Sequence, residues 1–312
     1  MKNKIKQICI FCIAVIVMFT SLPVHTAEAK GNVSIKGLKS LKAGKKYYYD
    51  LDGNGKKECI YWVVQKEKNS EDQTIFVYLN QKCIFKQFGN WEYAWGISLC
   101  NINNKDKYVE ILIESTCSDA ILEGCKFLRY KNGRLSTMFS CEGEEQREKQ
   151  YYSVSTIGAW IIKGNGTVIH KNDADFYNDS IGQRIVHVPL KEVKGKLVYT
   201  KPKYYKLSLF KAYEKTMGKY NHRAGERIPL YKKADANSGT AFYMESGQYF
   251  LVDYMKIVSW EKVYWDVNSW YVRPNLFVRV KTEQGKSGWM YLPAGQKMDF
   301  TDNGALQLPG WR

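Results

Sequence analysis

Asp50-Leu51-Asp52-Gly53-Asn54-Gly55-Lys56-Lys57-Glu58-Cys59-Ile60-Tyr61-Trp62-Val63-Val64 joins an acidic, glycine-rich turn to a run of β-branched and aromatic residues. Such residues suit a pleated, half-buried surface, so the run reads as a strand and the turn as its entry. The pattern returns about 51 residues later, where Asn101-Ile102-Asn103-Asn104-Lys105-Asp106 with Glu110 leads into Ile111-Leu112-Ile113. A second strand and hairpin follow each: Thr74 to Ile84 around Asn80-Gln81, and Lys126 to Thr137 around Asn132-Gly133. A weaker third copy runs through Ala159-Trp160-Ile161-Ile162 and Gly164-Asn165-Gly166 to the segment from Lys191 to Tyr199. A period of this size, with several strands per unit, is what stacked or radial β-sheets produce.

The rest of the chain agrees. Ile75-Phe76-Val77-Tyr78-Leu79, Phe127-Leu128-Arg129-Tyr130, Gly247 to Val252 and Phe277-Val278-Arg279-Val280-Lys281 alternate or run apolar between Gly, Asn and Asp. Asn132-Gly133 and Asn165-Gly166 are turn dipeptides suited to positive φ. Tyr204 to Met217 reads equally as helix or strand. The 23 Tyr, 13 Phe and 9 Trp add to a strand-rich expectation. With 45% hydrophobic and 25% charged residues, the 312-residue chain can bury a core and is not disordered.

The first turn carries the sharpest chemistry. Asp50, Asp52, Asn54 and Glu58 place oxygens at alternate positions of a loop that Gly residues let curl, and the Lys56 carbonyl can add another. A hard cation such as Ca²⁺ takes six to eight oxygens at about 2.3–2.6 Å, which this loop plus water would offer. It is no complete EF-hand, because Tyr61 stands where the closing acid belongs and strands flank it. The other reading is an Asp/Asn/Gly turn held by side chain to backbone hydrogen bonds. The second copy has neutral Asn101 and Asn103 and an intruding Lys105, so no cation is expected there.

These residues resemble the FG-GAP/VCBS-type repeats of propeller-like exported proteins, whose loops follow a D-x-D-G-D-G-x-x-D/E pattern. The likeness covers about ten residues closely and 45–141 loosely. It implies a weakly bound, structural Ca²⁺ between strands, with Asn54 standing where the pattern has an acid and Lys56 and Lys57 adding positive charge. Some 185 residues allow only three or four propeller blades of about 40–50 residues, so a sandwich-like arrangement stays open.

From about Met217 the texture changes. Ala224 to Tyr231, Ser246 to Val252, Phe277 to Lys281 and Gly285-Lys286-Ser287-Gly288-Trp289-Met290-Tyr291-Leu292 outline five or so short strands. They resemble the bacterial SH3-like (SH3b) family, most clearly in Phe277 to Val280 and Gly285 to Tyr291, which implies a small barrel. By resemblance, such modules bind peptidoglycan peptides or other wall components, or act as spacers. A departure is the stretch 259–274, expected as a loop carrying Trp260, Tyr264, Trp265, Trp270 and Tyr271. These rings, with Arg273 and Lys262, either stack on acidic sugars or pack over the barrel and the first domain.

The N-terminus reads as a secretory signal over 1–29. Lys2, Lys4 and Lys6 precede an apolar run from Ile8 to Phe19, Pro23 breaks it, and Ala27-Glu28-Ala29 offers a cleavage site. The run is shorter than the roughly 20 residues of a spanning helix, and no later stretch replaces it, so no transmembrane segment is expected after cleavage. The chain carries +16, and loses only two of those charges with the signal. For an exported chain, nucleic acid is an unexpected partner. Peptidoglycan or another anionic envelope polymer is expected instead, or an exported protein, though positive charge can also serve solubility alone.

Six Cys remain after the signal: Cys59, Cys83, Cys100, Cys117, Cys125 and Cys141. Export permits disulfides, and Cys117 and Cys125, flanking a short loop, are the first candidate pair among 15 complete pairings. Buried free thiols are the other reading. The one C-x-x-C, Cys9-Ile10-Phe11-Cys12, falls within the signal and none remains after it, so a zinc site is not expected. Catalytic signatures are missing too: no G-x-S-x-G, no H-E-x-x-H and no phosphate loop occurs. The expectation is an all-β, secreted, non-catalytic binding protein, one alternative being a carbohydrate-active hydrolase whose paired carboxylates would meet in space rather than along the chain. Its propeller-like repeat domain spans 30–215, and a small SH3-like barrel with an aromatic insertion spans 216–312.

Overall fold

The computed structural model describes residues 35–66, 73–89, 94–116, 122–142, 160–173, 181, 184–209, 218–264 and 270–294. The expected signal at 1–29, Cys117 and Trp265 lie outside them. Twenty strands are β1 (Leu38–Leu41), β2 (Tyr47–Tyr49), β3 (Glu58–Lys66), β4 (Gln73–Leu79), β5 (Lys82–Gly89), β6 (Ala94–Cys100), β7 (Glu110–Thr116), β8 (Leu122–Lys131), β9 (Arg134–Glu142) and β10 (Trp160–Ile162). They continue as β11 (Thr167–Asp173), β12 (Arg184–Val193), β13 (Lys196–Tyr199), β14 (Tyr205–Leu209), β15 (His222–Arg223), β16 (Ile228–Tyr231), β17 (Thr240–Met244), β18 (Tyr249–Tyr264), β19 (Trp270–Thr282) and β20 (Ser287–Leu292). The ambiguous stretch after Tyr204 opens as a strand, β14, because Tyr205 and Leu207 alternate inward with exposed Lys206 between them.

Three successive segments share one antiparallel order. β2-β3-β4-β5 form a four-stranded sheet, β6-β7-β8-β9 run in the same order with β1 added beside β6, and β10-β11-β12-β13 pair likewise. In each, a polar loop joins the first strand to the second and a two-residue turn joins the last pair. Those turns are Asn80-Gln81, Asn132-Gly133 and Lys194-Gly195, all with φ between 48° and 77°. Positive φ at both central residues matches the twist of the flanking strands, which is why Asn and Gly recur there.

The sheets stack. Leu51, Ile60, Ile75 and Val77 of the first meet Ile97, Leu99, Ile111, Ile113 and Leu128 of the second in one core. Cys100, Leu112, Phe127 and Met138 on the second sheet's other face meet Trp160, Val168, Leu190 and Leu197 of the third in another. Strand β7 is therefore apolar on both faces, and Glu110 through Ser115 are all buried. This is the continuous hydrophobic reading expected of a strand covered on two sides.

The third core joins both halves of the chain. Val186, Val188, Tyr205 and Leu207 pack with Ile228, Leu230, Phe250, Val278, Val280 and Met290. Strand β14 pairs with β12 on one side and β18 on the other, so a single eleven-stranded sheet crosses the boundary expected at 215–216. Among the described residues no sheet closes into a barrel; the large sheet ends openly at β10 and β17. The barrel expected from the SH3-like residues is thus an open sheet here, its β18 engaged with β14 instead of turning back on itself. No helix among the described residues is long and apolar enough to cross a membrane.

The described parts of the aromatic stretch 259–274, which are 259–264 and 270–274, are strand rather than loop. β18 and β19 run through it as a long hairpin, in register from Phe250 opposite Thr282 to Tyr264 opposite Trp270. Trp260, Val263, Tyr264, Trp270, Tyr271 and Val272 all have high strand propensity, which favours an extended pair over irregular chain. Slips in register at Val252/Tyr254 and Ile257/Ser259 bend it.

Histidines sit at the seams between sheets. His170 is fully buried, stacked 4.0 Å from Trp160 at 10°, with Nδ1 3.3 Å from the Tyr199 hydroxyl. Burial lowers its pKa to about 3, and burial together with Arg184 lowers that of His222 to about 3. Unfolding frees both to take up protons below about pH 6.5, so acidification from pH 7 to 5 favours the unfolded chain by about 2 kcal/mol for each. Glu110 acts oppositely: burial lifts its carboxyl to about 7, so the folded state takes up that one proton first. His187, lowered to about 4 by burial and nearby lysines, adds to the two histidines, while Glu58 and Asp106, both raised by burial, add to Glu110. The three histidines dominate, and the urea midpoint is expected to fall between pH 7 and pH 5. A His170→Leu variant should lose part of that slope, which equilibrium unfolding at both pH values measures.

Candidate metal centre

The loop between β2 and β3 is anchored by Leu51, which has no exposed surface. Asp50 and Asp52 flank this apolar anchor, while Glu58 opens β3 and reaches back to accept the Leu51 N–H at 2.8 Å. Asp50 accepts the Asn54 N–H at 3.0 Å and the Gly55 N–H at 2.9 Å. Asp52 accepts the Asn54 N–H at 3.2 Å and, across the sheets, the Asn132 N–H at 3.3 Å. Oxygen atoms of Asp50, Asp52 and Glu58 all lie within 4.8 Å of one another. The side chain of Asn54 is committed to the Lys56 N–H at 2.7 Å, and Lys56 itself is exposed.

The three acids crowd one another. Burial raises the Glu58 pKa, the Leu51 N–H offsets part of this, and the charges of Asp52 and Asp50 raise it further. Each carboxylate has lone pairs beyond the N–H bonds it accepts. A cation among them would relieve the repulsion, so the acids fit a hard divalent ion. The hydrogen bonds also make the loop a self-supporting turn.

The next loop solves the same problem internally. Glu110 opens β7 and accepts the Ile102 N–H at 3.0 Å, as Glu58 does for Leu51. Arg129, directly opposite Glu110 on β8, donates Nε and Nη2 to its Oε1 at 2.8 and 2.5 Å. The same guanidinium reaches Glu192 Oε1 at 2.6 Å and Asp106 Oδ2 at 3.3 Å, and lies 4.9 Å from the Tyr108 ring. Burial works against the charged guanidinium, but Glu110 and Glu192 outweigh it and raise the Arg129 pKa. Where the first loop holds three acids, the second holds three acids and a fixed cation. The motif reading found Glu110 but missed Arg129 and Glu192; the charge placed inside Phe127-Leu128-Arg129-Tyr130 was the available signal.

The loops form a row. Val109 N donates to Leu51 O at 3.0 Å and Lys107 Nζ to Gly53 O at 3.4 Å, joining the first to the second. Asn104 N to Gly164 O at 2.8 Å and Gly166 N to Ile102 O at 2.9 Å join the second to the third. Gly164 lies against the Asn104 side chain so closely that no Cβ would fit. Beside the third loop, Asn103, Asn165, Thr167, Lys191, Glu192 and Lys194 line an open polar cleft of about 530 Å³.

The remaining candidates are elsewhere. Trp260 is 40% exposed and pairs with Pro274, Arg273 lies opposite Glu261, and Tyr271 opposite Val263. Tyr264 and Trp270 face each other in register where the described part of the hairpin ends. Cys125 lies across from Cys141 on β9.

Removing Arg129 leaves Glu110 buried with like charges around it. Arg129→Met is expected to cost about 3–5 kcal/mol of folding stability, and Arg129→Met with Glu110→Gln clearly less, measured by urea unfolding at pH 7. Equal losses for the single and double variants would deny the coupling. The chain matches no protein-family model, no curated protein and no solved structure.

Proposed function

We propose that this chain is an exported, non-catalytic binding protein that attaches to peptidoglycan or another anionic cell-envelope polymer through its basic surface. The observation that supports this is the sorting of charge. Asp52, Glu58, Glu110 and Glu114 are buried, against Arg129 and Arg184 among basic groups. Among the described residues four buried acids thus outnumber two buried basic groups, so the exterior carries more positive charge than composition alone implies. Exposed rings stand beside part of that charge: Arg227 is 3.9 Å from the Tyr243 ring centre, Lys203 5.3 Å from Tyr204, and Arg223 5.9 Å from Tyr249. A ring beside a fixed cation offers an apolar plane and a charge together, which suits acidic glycans.

The three four-stranded meanders support the propeller-like repeat reading of 30–215. Strands β16 to β20 support an SH3-like reading of 216–312, in open form. On this reading Ca²⁺ binds weakly at Asp50, Asp52 and Glu58 as a structural ion.

Purified peptidoglycan or teichoic polymer is expected to retain the protein at about 50 mM salt and release it at about 1 M, as the screening length shrinks to about 3 Å. No retention at low salt would overturn the polymer reading, and retention by a single exported protein, unaffected by salt, would replace it. Calorimetric titration of Ca²⁺ should give weak binding, roughly 0.1–1 mM, that Asp52→Ala abolishes. Flat traces for both would end the calcium assignment.

A further inference from the structure

We propose that Cys125 and Cys141 form a disulfide that fastens strand β9 to β8. The two residues are direct cross-strand partners in the antiparallel β8–β9 ladder. Such partners share a face with Cα atoms about 4.5–5.5 Å apart, inside the roughly 4.4–6.8 Å that a disulfide spans. Both are thiols in the structure, Cys125 buried and Cys141 half-buried. The other described thiols are worse placed. Cys100 sits on β6 with all of β7 between it and β8, and Cys59 and Cys83 belong to the first sheet. On its β7 side Cys125 faces Glu114, three residues before Cys117 in the chain.

The bridge has work to do where it lies. β9 is the terminal strand of its five-stranded sheet, and its far end is tied to β8 by the Asn132-Gly133 turn. Cys141 closes the opposite end, two residues after Phe139, which packs 6.0 Å from Trp160 and 5.5 Å from Tyr199. Fixing β9 at both ends holds Phe139 in the seam between the second and third sheets.

The oxidant is a small disulfide such as oxidised glutathione. The Cys141 thiolate attacks one glutathione sulfur and expels glutathione thiolate. The Cys125 thiolate then attacks the Cys141 sulfur of that mixed disulfide and expels the second. Two protein thiols lose two protons and two electrons, and one glutathione disulfide becomes two thiols. Burial, with Cys141 and Glu114 nearby, pushes the Cys125 thiol well up. Half-buried Cys141 is therefore the entry point.

The test oxidises the folded full-length protein with oxidised glutathione, alkylates it in denaturant and digests it with trypsin. Expected is residues 108–126 joined to residues 135–147, with Cys117 alkylated. The link persists in Cys117→Ser and is lost in Cys141→Ser, and reduction lowers the Tm of the unaltered protein by about 5 °C or more. Alkylation of both Cys125 and Cys141 after oxidation, or a link between Cys117 and Cys125, overturns the proposal.

Discussion

A glutamate that opens a strand and reaches back to hold the loop before it is the constraint on which this architecture rests. Glu58 holds the Leu51 N–H and Glu110 holds the Ile102 N–H, and in both loops that residue is apolar and fully buried. The polar loop is thereby drawn between two sheets, where its backbone groups must find partners. They find them in the neighbouring loops, Leu51 O with Val109 N and Ile102 O with Gly166 N. Removing the glutamate would strand a buried donor and loosen the row of loops as well as the turn.

Stacking sheets in this way places carboxylates where water cannot reach them, and that has an electrostatic consequence. Buried acids need a positive partner or must hold a proton. At the second loop the partner is Arg129, which bridges Glu110 and Asp106 of one sheet to Glu192 of the next. The same withdrawal of four acids, against two buried arginines, tilts the outer surface of the described residues toward positive charge. The cationic exterior is thus partly a result of how the interior is built, and the two cannot be altered independently.

Most strands were legible because their residues alternate or cluster by β-propensity: Phe277 to Lys281 and Ile75 to Leu79 read correctly from pattern alone. Pairing was not. Nothing local in Tyr205-Lys206-Leu207 announces that it joins β12 to β18, because sheet neighbours are chosen by burial across the whole chain. The aromatic stretch around Trp260 reads as an insertion, yet its β-branched and aromatic residues extend two long strands. At the site, the acids were visible as a spaced motif, whereas Arg129 and Glu192 come from distant strands and meet only in space. Cys125 and Cys141 were separated by a hairpin, and only register brings them opposite.

The two loops also differ in what can perturb them. Arg129 is covalently part of β8, so the second acidic cluster keeps its one compensating cation in every ionic medium in which the fold persists. Among the described residues no basic side chain pairs with the acids of the first, and its Glu58 is raised by burial and by like charges. On the calcium reading, its charge depends on a diffusible ion and on that ion's concentration. The Asp52 to Asn132 contact ties that loop to the β8–β9 turn, whose hairpin also carries Arg129. An ion at the first loop would therefore be felt at the second sheet through one hairpin, and that hairpin would be stiffest with both ends of β9 secured.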